Sequence, residues 1–130
     1  MELVVFHPGD TQPKCHYFDG PPLLGAQQAV GESAEVVPGF TSISREGIVH
    51  SCVAYCDKNG GRNGRPLNAW ATALWHAALK REGYERGLRR ADGTIADRLV
   101  GNVVVICSEA DVASANTFQN RLNLVGANSV

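Results

Sequence analysis

Apolar and polar positions change their period along this chain, and each change marks an element. Leu3, Val4, Val5 and Phe6 form an apolar, β-prone run, followed by the breaker His7-Pro8-Gly9-Asp10 and a second β-prone stretch over residues 14–18; together they predict a hairpin. Over residues 22–30, Leu23, Leu24, Ala26, Gln27 and Val30 recur at near-helical spacing. Pro22 suits the first turn and Gly31 the stop, while Gly25 weakens the pattern. Glu35, Val36 and Val37 predict a short strand closed by Pro38-Gly39, and residues 47–56 a longer one with Ile48, His50, Cys52, Ala54 and Cys56 on one face. The spacing then predicts a helix over about 69–81. Leu67, Ala71, Leu74, Trp75 and Ala78 fall on its apolar stripe, Thr72, His76 and Lys80 on the other side, and Gly83 at a left-handed C-cap.

Residues 83–99 read as a long excursion, either a functional loop or a disordered one. Val103 to Cys107 is unbroken in its apolar character, which suits a buried central strand. Ser108 to Asp111 have the spacing of a helix start, and a weak helix toward Arg121 is expected before a frayed end. The order of elements predicts one small α+β domain over residues 1–130, a mixed β-sheet with helices packed on one face.

Composition adds limits. A chain of 130 residues that is 44% hydrophobic can bury roughly two-thirds of its unfolded surface without a staple. Cys15, Cys52, Cys56 and Cys107 have no framework spacing, and the first ten residues lack the pattern of a secretory leader, so reduced thiols and a cytoplasmic location are expected. The longest apolar run is far short of the ~20 residues that cross a bilayer, so no membrane partner is expected.

The net charge of -1 is unevenly spread: residues 1–50 hold six acids against two bases, a balance of -4, which leaves +3 for the remainder. Lys80, Arg81, Arg86, Arg89, Arg90 and Arg98 crowd one segment, partly offset by Glu82, Glu85, Asp92 and Asp97. The sequence pI of about 6.4 lies well below the ~9 of domains that grip duplexes through a basic stripe, so duplex nucleic acid is not an expected partner.

Searches for chemistry return little. G-x-S-x-G, H-E-x-x-H and the phosphate-loop pattern G-x-x-x-x-G-K-[ST] are all missing from the chain. His50, Cys52 and Cys56 invite a zinc reading, but on a strand the two cysteines lie ~13 Å apart at ~3.3 Å per residue, too far for one ion at ~2.3 Å from each sulfur. Small buried side chains fit them better, and no cofactor is expected. His7 reads as a turn residue, and His76 as a solvated side chain on a polar helix face. No catalytic residue is nominated.

One stretch remains. Between residues 57 and 79 a Gly- and Arg-rich loop runs into the N-terminus of the best helix: Gly60, Gly61 and Gly64 free the backbone, Arg62 and Arg65 supply fixed charge, and Asn68 can cap the helix. Such a loop can grip an anion, with Trp70 or the pair Arg89 and Arg90 closing over a base. It equally suits a solvated connection in which the glycines serve turn geometry.

The stretches Ala54-Tyr55-Cys56-Asp57-Lys58-Asn59-Gly60, Gly64-Arg65-Pro66-Leu67-Asn68 and Ala71-Thr72, with Ala34 to Pro38 and Leu99 to Val105, resemble an uncharacterised family of small proteins from actinobacteria, their phages and plasmids. It is the domain-of-unknown-function 3846 type. The likeness covers about residues 1–107 and carries the pattern D-x-x-G-x-x-x-G-x-P-x-N after a strand. Arg65 stands where that family usually has an apolar residue. The resemblance implies a setting, that of phages and mobile elements, whose small proteins often blunt a host defence; joined to the loop above, it leads to a non-enzymatic accessory protein binding a small phosphorylated ligand such as a nucleotide signal, or a host protein, to modulate host defence. The ligand residues would be Gly60, Gly61, Arg62, Gly64, Arg65, Asn68, Trp70, Arg89 and Arg90. Two other readings stand beside it. One is a protein-interaction or homo-oligomerisation module using the sparsely charged tail 108–130, with Val112, Phe118, Leu122, Leu124 and Val125. The other is an RNA or single-strand binder.

Overall fold

The computed structural model describes residues 1–83 and 98–107. In chain order these form β1 (Glu2–Phe6), β2 (Lys14–Tyr17), α1 (Pro22–Val30), β3 (Ala34–Val36), β4 (Ser42–Arg45), β5 (Ile48–Asp57), α2 (Ala69–Glu82) and β6 (Val103–Cys107). The strands make a six-stranded sheet in the order β2-β1-β6-β5-β3, with β4 also paired to β5. The expected hairpin is present, with Glu2 opposite Tyr17 and Val5 opposite Lys14. The α+β class expected from the sequence is the class of the fold.

Every pairing is antiparallel, so the expectation of a mixed sheet is corrected. Helix α1 does carry the chain back so that β3 runs in the same direction as β2, but β1, β6 and β5 lie between these two strands. Parallel strands exist here and are never neighbours.

The placement of both helices on one face is corrected as well. Val4, Phe6, Val103, Val105 and Cys107 pack with Ala71, Trp75, Ala78 and Leu79 of α2. The intervening Leu3, Val5, Val104 and Ile106 pack with Ala26, Ala29 and Val30 of α1. Alternate residues of β1 and β6 thus meet opposite helices, which is why both strands are apolar at every central position. Fully burying each of the Val, Leu, Ile and Phe side chains contributes roughly 1.5–3 kcal/mol.

Helix α1 has the expected bounds, with Pro22 in its first turn and Gly31 at its C-cap. Gly25 is buried within it: a Cβ there would lie 3.0 Å from the Phe18 ring and 3.3 Å from Leu3, so the residue that weakens the helix pattern lets the helix approach the sheet. Helix α2 starts at the Asn68 cap and ends at Gly83, whose φ of 73° is left-handed. Leu67, placed on its apolar stripe by spacing, precedes the helix and is exposed.

Strand β4 was not expected, because Ser42-Ile43-Ser44-Arg45 offers a single apolar residue to any pattern. It continues β3 along β5 after an interruption bridged by Val37 N–H to Ala54 O (2.8 Å) and Cys52 N–H to Thr41 O (2.9 Å). Inside the interruption Phe40 plugs the core, and the Trp75 indole N–H donates to Pro38 O at 2.9 Å. Arg81 ties the far end of α2 down by donating to Ser42 Oγ (3.1 Å) and Ser42 O (3.2 Å). The expected C-terminal helix and most of the 83–99 excursion lie outside the described residues. No helix among the described residues is long and apolar enough to cross a membrane.

Candidate functional site

The strand registers bring four connections to one end of the sheet. Phe6 lies opposite Val103, Cys56 opposite Val103 on the other side, and Ala34 opposite Asp57. The exits of β1, α1 and β5 and the entries to α2 and β6 therefore meet there. A cleft of about 370 Å³ opens between them, lined by His7, Pro8, Val30, Asp57, Arg65, Pro66, Gly101 and Asn102.

The loop from Asp57 to Asn68 is built by hydrogen bonds to itself. Asp57 Oδ1 accepts from Asn59 N–H at 2.9 Å. Gly60 N–H donates to Asp57 O, Asn63 N–H to Asn59 O, Gly64 N–H to Gly61 O and Arg65 N–H to Gly60 O. These amides face inward and form no anion cradle. Gly60 is required by close approach: a Cβ there would lie 2.9 Å from Val100 Cγ2 and 3.2 Å from Asp57 O. The loop is then clamped to the segment that leads into β6, with Asn68 N–H donating to Leu99 O and Gly101 N–H to Pro66 O, both at 2.8 Å. Thr72 reinforces the clamp, its Oγ1 accepting from Leu99 N–H at 2.8 Å.

Asn68 serves the fold and does not open to the cleft. Only 1% exposed, its amide donates to Phe6 O (2.8 Å) and Gly101 O (2.9 Å), and its Oδ1 caps α2 by accepting from Ala71 N–H (3.1 Å). Trp70 is partly exposed, edge-on to Phe6 at 5.6 Å between ring centroids, and is not among the cleft residues. Gly61, Arg62 and Gly64 are exposed and outside the lining. Arg89 and Arg90 lie outside the described residues. Of the charged residues nominated from sequence, Arg65 is the one the structure brings to the cleft, its aliphatic stem lying over Gly101.

Three polar residues join it that sequence reasoning did not nominate. His7 keeps its expected place in a turn, with His7 O accepting from Asp10 N–H, but its ring also meets Asn102 Oδ1 through Nδ1 at 3.0 Å. Asn102 Nδ2 donates to Ala29 O at 3.1 Å. That bond turns Asn102 Oδ1 toward His7, so Nδ1 must carry a proton and Nε2 is the nitrogen left for other partners. Asp57 is the third, half-buried at the end of β5. Nothing in the sequence marks Asp57 or Asn102 chemically.

Among the described residues the one ion pair is Arg45 with Glu2, at 2.9 Å. Arg65 and Asp57 therefore line the same cleft without bridging each other. No group of three or more His, Cys, Asp or Glu side chains among the described residues could hold a metal ion. The site offers one guanidinium, one carboxylate, an oriented imidazole and an amide, arranged for hydrogen bonding to a small polar molecule.

At the opposite end, an apolar groove of about 500 Å³ is lined by Met1, Pro22, Ser51, Cys52, Val53, Tyr55, Ile106 and Cys107. Val49 and Val53 on β5 are 55% and 42% exposed. Compared with protein-family models, with curated proteins and with solved structures, the chain matches none.

Proposed function

We propose that the protein is a non-enzymatic binder of a small phosphorylated molecule, of the nucleotide class, held in the cleft between His7, Asp57, Arg65 and Asn102. The observation that carries this reading is Arg65: a fixed cation lining a concave site, exposed, its stem propped on Gly101 and without an ion-pair partner among the described residues. A planar cation so placed takes a phosphate through two parallel N–H donors. The volume is at the small end of ligand sites, typically about 300–1,000 Å³. The family likeness supports a role as an accessory protein of a phage or mobile element, which would withhold such a signal from its host in the cytoplasm.

The test is calorimetric titration of nucleoside monophosphates against the intact protein and its Arg65→Ala variant. A charge-assisted hydrogen bond is worth about 1.5–3 kcal/mol, so affinity should fall roughly ten- to hundredfold. Arg62→Ala should change little, and neither variant should shift the melting temperature of the free protein. Equal affinity in Arg65→Ala overturns the reading.

The apolar groove favours a second reading, homo-oligomerisation. Chain exit from β6 at Cys107 is in the groove wall, and residues 108–130 include Val112, Phe118, Leu122, Leu124 and Val125. In this reading the tail of one copy covers the groove of another. Light scattering on a chain ending at residue 108 should then show a smaller subunit count; an unchanged count rejects it.

A further inference from the structure

Two residues of opposite charge line the cleft without forming an ion pair with each other, and this constrains what can sit between them. Arg65 and Asp57 line the same space, and neither has an ion-pair partner among the described residues. Asp57 Oδ1 already accepts the Asn59 amide; Oδ2 has no such bond to an amide of the loop. His7 and Asn102 complete the polar lining and are joined to each other.

Resting on the phosphate-binding reading above, we propose that the cleft selects a nucleoside monophosphate whose base carries adjacent N–H donors, and rejects di- and triphosphates. Arg65 takes the single phosphate. Asp57 takes the N–H edge of the base, as a carboxylate accepts two parallel donors. A longer phosphate chain would bring additional negative charge into a space of about 370 Å³ that already contains a carboxylate and one guanidinium. Like charges at such separations repel in partly desolvated surroundings. Guanine is the base whose ring N–H and exocyclic amino group lie side by side, so guanosine monophosphate is the probe of choice, and adenosine monophosphate, which presents the amino group alone, the comparison.

Calorimetric titration of the full chain with guanosine monophosphate, adenosine monophosphate and guanosine triphosphate tests this. Guanosine monophosphate should bind at least tenfold tighter than either of the others. In Asp57→Asn, which retains the Oδ1 acceptor for the Asn59 amide and so the local turn, the guanine preference should collapse to less than threefold and the triphosphate should gain affinity. Arg65-dependent binding in which the triphosphate equals or exceeds the monophosphate overturns this inference and leaves the phosphate reading standing. Binding indifferent to Arg65→Ala, or no binding of any of the three, removes the phosphate reading and this inference with it. The ranking on the unmodified protein is decisive even if Asp57→Asn folds poorly.

Discussion

The side-chain amide of Asn68 donates to the carbonyl of Phe6 at 2.8 Å across 62 positions of sequence. The same amide holds Gly101 O and the same residue caps α2 through Ala71 N–H. One buried side chain thereby joins the exit of β1, the entry of β6 and the start of a helix. Asn68→Ala should lose roughly 3 kcal/mol or more of stability, at about 1 kcal/mol per bond plus the cost of leaving two carbonyls dry. Urea unfolding measures it. Asn68→Asp should fare little better, since a carboxylate oxygen would face those carbonyls. A loss under about 1 kcal/mol, the size of an ordinary exposed cap, would contradict the joint.

Gly60 and Gly61 are neighbours with opposite surroundings. A Cβ on Gly60 would meet Val100 at 2.9 Å, whereas one on Gly61 meets nothing within 4 Å. Gly60→Ala should therefore destabilise the fold by roughly 1–3 kcal/mol through overpacking, and Gly61→Ala should be close to neutral. Thermal unfolding of the two variants side by side separates a spacing requirement from a general need for loop glycines.

Gly101 sits at a φ of 72° with the stem of Arg65 against it, and an added Cβ would lie 3.3 Å from Arg65 Cβ and 3.4 Å from its Cγ. Gly101→Ala is expected to weaken nucleotide binding at least fivefold by lifting Arg65 from its seat. Its backbone cost is about 1–2 kcal/mol, small enough for the variant to be titrated while folded. Binding as in the unsubstituted protein would show that Arg65 acts from elsewhere.

The thiols predict an alkaline limit. Burial, and then the neighbouring Cys107, pushes Cys52 up to about 12, and burial, then Glu35 and Asp57, pushes Cys56 up to about 11, from an ordinary 9.0. Above pH 9 the unfolded chain releases these protons while the folded protein retains them, so their contribution is intact below that pH and declines as pH rises toward 11–12. The melting temperature should fall between pH 8.5 and 10.5, and less so in Cys52→Ala. Under native conditions at pH 8 a thiol reagent should label Cys15, which is exposed, ahead of the buried Cys52 and Cys107. A melting temperature that rises over this range would contradict the sign.

How far the sequence discloses this fold depends on what each residue must satisfy. Helices α1 and α2 were legible because proline, asparagine and glycine mark their ends by local geometry alone. Strand β6 was legible because burial on both sides leaves no polar position. That same fact, read together with Leu3 to Phe6, already implied a helix on each face of the sheet. Strand β4 was hidden because pairing with β5 asks little of Ser42 and Ser44. For the site, Arg65 was visible with Arg62 as a cation in a glycine-rich loop, and nothing local told the two apart. His7, Asp57 and Asn102 belong to three separate connections, and nothing local says that these connections end at one place. Gly60 serves a close approach and Gly64 a turn, and their amides follow partners within the loop, since the direction of an amide is set by its partners and not by its residue type.

The position of β1 has a consequence for how the protein is made. Val4 pairs with Cys15 on one side and with Val105 on the other. During synthesis the first hairpin can close at once, but its inner edge has no partner until residue 107 has been added. Until then a nascent chain exposes Leu3 to Phe6 as an open apolar edge, the kind that recruits strands from other molecules. Contacts so distant in sequence also slow the final closure. The order of synthesis thus leaves the strand at the heart of the sheet half-paired for longer than its neighbour β2, which gains its one partner at once.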